Sequence, residues 1–228
     1  MQEVTKIYYG TEFKDLKSVL SDGIRPYGTD GFVNWEESTF HPEMVYLSSA
    51  YPIHMGHINR IRYRKFVFCE IDFKALKNEN LYPDERYIFQ SIKEEERIPI
   101  HEIRSLLTEK ISNYKAYYLN SLYDMGSICH RGVINPELIK RYCIINFSKR
   151  PHLAMSYEIP GLSTSDHKMN YKRYYKLLMW FFGDEKLLPQ VEDVKEIQFL
   201  FNKDVSTELE FWEKESKDRK GIEVKDFR

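Results

Sequence analysis

The sequence predicts an α+β chain, and three observations carry that expectation. Runs with strand character and runs with helical apolar spacing follow one another irregularly: strand, helix, long loop, strand, helix, strand, helices, strand, strand. A regular βαβ series, the signature of a parallel doubly wound sheet, is absent. At 228 residues, 42% hydrophobic and 30% charged, the chain can build one proper core with a smaller extension.

The elements can be justified in order. Lys6 to Tyr9 has strand character, and Gly10-Thr11 is expected to turn the chain at its end. Phe13, Leu16, Val19 and Leu20 then recur at helical spacing, with Asp22-Gly23 as the C-cap. RPYGTDGFVNWEESTFHPE, from Arg25 to Glu43, is rich in residues that break regular structure and is expected to be a long, functional loop. MVYLSS is a strand, AYPIHMGHINRI a helix started near Pro52, and KFVFCEIDF a strand carrying Phe66, Phe68 and Ile71. NENLYPDERYIFQS is expected to be a turn leading into a polar segment. Ser91 to Tyr123 is largely helical, and SICHRGVI and RYCIINF are two more strands. After Phe147 the texture changes. An irregular stretch precedes NYKRYYKLLMWFFGDEKLLP, a helix with Leu177, Leu178 and Phe181 on its apolar face, and STELEFWEKESKDRK reads as a charged helix.

Composition narrows the function classes. A net charge of -1 provides no bulk electrostatic argument for nucleic acid. Cys69, Cys129 and Cys143 are odd in number, widely spaced and set in apolar runs, which implies buried reduced thiols and a cytoplasmic protein. There is no apolar N-terminal leader and no apolar run of membrane length. His54 and His57 stand one helical turn apart, but no further Cys or His completes a zinc set, so no metal is expected.

Four segments stand in a particular order: YYGT before a helix, VYLSS before a helix, LYPDE after a strand, and SICHRGVI leading into NPELI. In this the chain resembles the ADP-ribosyltransferase superfamily, in the branch that includes the poly(ADP-ribose) polymerases. That branch carries a His-Gly-Thr turn on its first strand, a Tyr-x-x-Ser strand, and a Glu near the last strands. With CEIDF and LYPDE, the chain looks most like nucleic-acid-modifying bacterial and phage-associated transferases, the DarT-like and CmdT-like proteins. The resemblance runs from Lys6 to Asn146. It implies a split β-sheet core with flanking helices as a catalytic domain over residues 1–149, and a mainly helical extension over 150–228 packed on it.

The implied chemistry sets a task for each segment. Splitting NAD breaks the bond between nicotinamide and its ribose through an oxocarbenium-like transition state. The residue without a side chain, Gly10, lets its backbone approach the carboxamide. Thr11 bonds a ribose hydroxyl or braces the turn; alternatively it caps the next helix. Tyr9 stands where the family has His, so its hydroxyl would reach the ribose from farther out. Tyr46 matches the aromatic that packs on nicotinamide, and Ser48 and Ser49 match the small hydroxyl position; equally, Tyr46 is a core strand residue and the serines cap the next helix. Tyr51 would close the other face of the ring. Glu85 is the expected catalytic acid or base, with Asp84 beside it; the pair equally suits a helix start favoured by the helix dipole.

Three further features complete the expected site. The late strand carries Ser127 where the family has its Glu, so either the acid has moved to Glu85 or the chemistry differs. His130 and Arg131 on that strand resemble the phosphate-holding pair of RNA 2′-phosphotransferases, which share the fold; an exposed strand edge is the alternative. Arg25 would pair with the pyrophosphate. Arg60, Arg62, Arg64 and Lys65, with NYKRYYK, interleave cations with Tyr as phosphate contact plus base stacking requires. The resemblance thus implies a transferase that uses NAD, modifies RNA or DNA, acts as a toxin or anti-phage effector, and has an antitoxin partner. The alternatives are a protein acceptor, NAD hydrolysis, or a binding module that has lost the chemistry.

Overall fold

A computed structural model describes residues 6–26, 42–49, 65–85, 87–88, 115–149, 178–184 and 217–227. Seven strands form one sheet: β1 Lys6–Glu12, β2 Met44–Ser48, β3 Lys65–Asp72, β4 Leu81–Pro83, β5 Ser127–Arg131, β6 Ile139–Asn146 and β7 Ile222–Asp226. Their order is β4-β5-β2-β1-β3-β6-β7, and every neighbouring pair is antiparallel. Two described helices accompany them, α1 Leu16–Asp22 and α2 Tyr118–Met125. The α+β class expected from the sequence is therefore observed.

Strand alternation sorts the core into two faces. The first face holds Ile7, Val45, Leu47, Val67, Cys69, Leu81 and Ile128, which pack with Leu16 and Val19 of α1 and Leu122 of α2. On the second face Tyr8, Phe66, Phe68, Cys143 and Ile145 pack against the helical residues 178–182, all five of which are buried. β3 lies between β1 and β6 and is buried on both faces, which suits its continuous apolar run.

The pairing is uneven. β1 pairs with β3 along its whole length, from Lys6↔Asp72 to Glu12↔Phe66. With β2 it shares, among the described residues, the register pair Tyr8↔Ser48. That pair joins β4-β5-β2 to β1-β3-β6-β7 in the one sheet.

The Gly10-Thr11 expectation needs correction. Both residues lie inside β1, opposite Phe68 and Val67, and the chain leaves the sheet only at Phe13. β-Branched Thr11 and aromatic Phe68 and Phe66 favour continued pairing over an early turn. Phe13 is exposed rather than core, its ring lying beneath Lys65 Nζ at 5.0 Å. The Asp22-Gly23 cap is observed: Gly23 has φ 88 and donates its N–H to Val19 O at 3.1 Å. A Cβ there would lie 2.3 Å from Ile134 O, the carbonyl that pairs with Ile24, so only glycine fits.

The last strand was absent from the sequence expectation. β7 pairs with β6 from Arg141↔Asp226 to Ile145↔Ile222, and Ile222 and Val224 pack on the second-face core. Residues beyond the expected boundary at 149/150 thus share the sheet and core of those before it. A charged cluster joins them as well. The Arg141 guanidinium bonds Glu70 at 2.6 and 3.0 Å and Asp184 at 3.0 Å, and stacks over Phe182 at 4.7 Å. Arg219 donates to the carbonyl of Phe181 at 2.7 Å and to that of Trp180, closing the C-terminal end of the helical residues 178–182.

The three cysteines are buried free thiols, as expected. Burial pushes the pKa values of Cys69 and Cys143 up to about 12. Among the described residues no helix is long and apolar enough to cross a membrane.

Candidate active site

Cross-strand register builds a row of side chains on the second face. Tyr46 on β2 stands opposite Cys129 on β5, which stands opposite Tyr82 on β4. Because Ser48 pairs with Tyr8, Tyr46 shares the face of Tyr8. Just past β4 the chain becomes helical at Glu85, with Tyr87 and Ile88 donating their N–H groups to Asp84 O at 2.9 and 3.3 Å. The helix start expected of Pro-Asp-Glu is therefore present, and it aims the Glu85 carboxyl back at the row.

Glu85 is only 3% exposed. Its Oε1 accepts a hydrogen bond from the Tyr46 hydroxyl, and Oε2 lies 3.8 Å from Cys129 Sγ. Asp84, fully buried, accepts the Ser127 hydroxyl at 2.8 Å. Its backbone N–H donates to Ser121 Oγ at 3.0 Å, and that hydroxyl donates to Ser127 O at 2.7 Å. The adjacent acids thus do different work. Asp84 ties β4 to β5 and α2, while Glu85 meets β2 and β5 on the second face. Gly10, Tyr46 and Ser48 are half-buried.

Of the expected residues the structure brings together Tyr46 and Glu85, and it places others apart from them. Tyr9 is one residue out of step with Tyr8; its ring packs on the first face, on the opposite side of the sheet from Tyr46 and Glu85. Thr11 follows Tyr9 onto that face, and its hydroxyl donates to Asp15 Oδ2 at 3.2 Å. Ser48 and Ser49 both donate to the Gly126 carbonyl, at 3.0 and 3.2 Å, anchoring β2 to the turn between α2 and β5. Arg25 is exposed and ion-paired with Asp22 at 3.0 Å.

His130 and Arg131 do not form a pair. As neighbours on one strand they point to opposite faces. His130 is buried beside the Gly132 carbonyl, 3.2 Å from Nδ1. Burial lowers its pKa, with the Gly132 contact partly opposing, which favours the neutral ring. Arg131 is exposed and bonds Glu43 at 2.6 Å; hydrogen bonding to Tyr82 and Glu43 raises its pKa further. Tyr51, His54, His57, Arg60, Arg62, Arg64 and the NYKRYYK segment lie outside the described residues. Among those described, no group of three or more His, Cys, Asp or Glu could hold a metal ion.

No family model matches the chain, and no curated protein does. Among solved structures it is similar to EcPltA, at 13% identity and a TM-score of 0.34, over 64% of this chain and 78% of that one. A likeness of that size carries no argument about the site.

Cys129 is the site residue that sequence reasoning missed. Its place beside Glu85 follows from the pairing of β5 with β2 and β4, which no local pattern encodes. A free Cys in an apolar strand reads as packing alone.

Proposed function

We propose that the chain is an NAD-dependent ADP-ribosyltransferase with Glu85 as its catalytic carboxylate and a nucleic acid as its acceptor. The observation that carries the reading is the hydrogen bond from Tyr46 to Glu85 on the second face. Two segments singled out by the resemblance, VYLSS and LYPDE, meet there, and Gly10 of the third lines the same face. The displaced acid also has an account: β4 lies beside β5, so its carboxylates reach Ser127 and Cys129 on the late strand, where the family carries its Glu.

In this reading nicotinamide lies against the Tyr46 ring with its carboxamide toward the Gly10 backbone. The bond between ribose C1′ and nicotinamide breaks, its electron pair leaving with nicotinamide. A lone pair of the acceptor bonds C1′, and the acceptor proton passes to Glu85 or to water. In a low-dielectric setting the Glu85 carboxylate stabilises the ribosyl cation more strongly than it would in water. Tyr9 packs on the other face of the sheet. The acceptor assignment rests on the cation-and-Tyr segments and on the resemblance, and an intracellular toxin is the role that fits them.

The test is transfer of label from NAD to separate pools of RNA, DNA and protein. Wild-type protein is expected to label nucleic acid, and Glu85→Gln to lose about 10²-fold or more in rate with an unchanged circular dichroism spectrum. Expression of the wild type, but not of that variant, is expected to arrest growth. Label in protein alone would defeat the nucleic-acid acceptor, and full activity of Glu85→Gln would remove Glu85 from the chemistry.

A further inference from the structure

We propose that Tyr46 and Cys129 are positioning residues that hold one carboxylate oxygen of Glu85 each, fixing the direction of the carboxylate along the second face. The proposal rests on the reading of Glu85 as the catalytic carboxylate only for its kinetic consequence; the hold itself stands on geometry.

Tyr46 and Cys129 are direct cross-strand partners, so their side chains emerge together from adjacent strands. Their donors separate onto the two oxygens of one carboxylate, the Tyr46 hydroxyl on Oε1 and the Cys129 thiol on Oε2. A thiol at 3.8 Å is the weaker donor of the two. The backbone leading into Glu85 is held independently, because Asp84 is bonded through its N–H to Ser121 and through its carboxylate to Ser127. Hydrogen bonds donated to a carboxylate favour its charged form, which a general base or a cation-stabilising group requires. A carboxylate locked by flanking groups also loses no rotamer freedom during the reaction. Among the described residues of β2, β4 and β5, the titratable and charged groups on this face are Tyr46 on β2, Cys129 and Arg131 on β5, and Tyr82 on β4, with Asp84 beside Glu85; Lys6 and Tyr8 on β1, Glu70 on β3 and Arg141 on β6 lie farther along the same face.

The test has two arms. In the first, protein labelled with ¹³C at the glutamate carboxyl is titrated by NMR, and Glu85→Gln assigns the signal. Tyr46→Phe is expected to raise the Glu85 midpoint by about one pH unit and Cys129→Ala by less, with Cys129→Ser, which keeps a donor, returning toward wild type. In the second arm the kcat for ADP-ribose transfer falls about tenfold in Tyr46→Phe while the KM for NAD changes less than twofold. The acidic limb of the pH profile moves to higher pH, and Cys129→Ser again recovers part of the loss. If Glu85→Gln keeps wild-type activity, the functional reading fails while the titration still decides the hold. If Glu85→Gln is inactive but neither Tyr46→Phe nor Cys129→Ala moves the midpoint or kcat, the hold is overturned and the functional reading survives.

Discussion

Replacing Arg141 with Met is expected to destabilise the protein strongly, because that guanidinium is the principal partner of a buried carboxylate. Glu70 Oε2 accepts from Arg141 Nε at 3.0 Å and Nη2 at 2.6 Å, and the two side chains are 7% and 17% exposed. Asp184 shares the same guanidinium. Its bond to Asp184 comes first among the causes that hold the Arg141 pKa well above the ordinary arginine value. Removing one partner of a buried pair typically costs about 3–5 kcal/mol. Here Lys6 remains 3.5 Å from Glu70 Oε2, but it is 43% exposed and solvent screens it, and the Tyr8 hydroxyl at 3.4 Å is a long bond. Met also retains part of the contact with Phe182. The expected loss is therefore about 2–3 kcal/mol, or about 6–9 °C in Tm for a domain of this size. Urea unfolding followed by the fluorescence of buried Trp180 measures it. The double variant Glu70→Met/Arg141→Met removes both charges and is expected to recover more than half of the single-variant loss. An Arg141→Met loss below about 0.5 kcal/mol, or a double variant no better than the sum of its singles, would refute the assignment of the cluster as a buried, mutually compensating pair.

Two further outcomes follow from backbone and thiol chemistry. Gly23→Ala places a Cβ where φ is 88 and Ile134 O is 2.3 Å away, so it is expected to cost about 2 kcal/mol or more in urea unfolding; an unchanged midpoint would contradict the close approach of α1 to the Ile24↔Ile134 bridge. Cys69 and Cys143 have folded pKa values near 12, above the ordinary thiol value of about 8.5, so unfolding releases their protons once pH exceeds that value. Stability is then fully present below about pH 8.5 and falls as pH rises toward 12. The check is urea unfolding at pH 7 and pH 10, where Cys69→Val/Cys143→Val flattens the alkaline decline; an equal decline in that variant would remove the thiols as its source.

Elements whose pattern is local were legible in the chain. KFVFCEIDF and RYCIINF became paired strands because β-branched and aromatic residues run continuously there. The cap at Gly23 was readable because few residues but glycine adopt a positive φ. Tyr46 and Glu85 were also singled out from their segments. β7 escaped notice: Ile222 and Val224 alternate with charged residues over five positions, too short a pattern to separate from a polar tail, and its pairing with β6 crosses most of a hundred residues of chain.

The sequence by itself determined the α+β class, three buried thiols, the cap of α1 and the segments from which a site could be drawn. Only the tertiary structure decided which residues of those segments share a face. A strand turns successive side chains to opposite sides, so one step in register sends Tyr9 away from Glu85 and brings Cys129 to it. That register is set by packing between strands distant in the chain, and no local window of residues contains it.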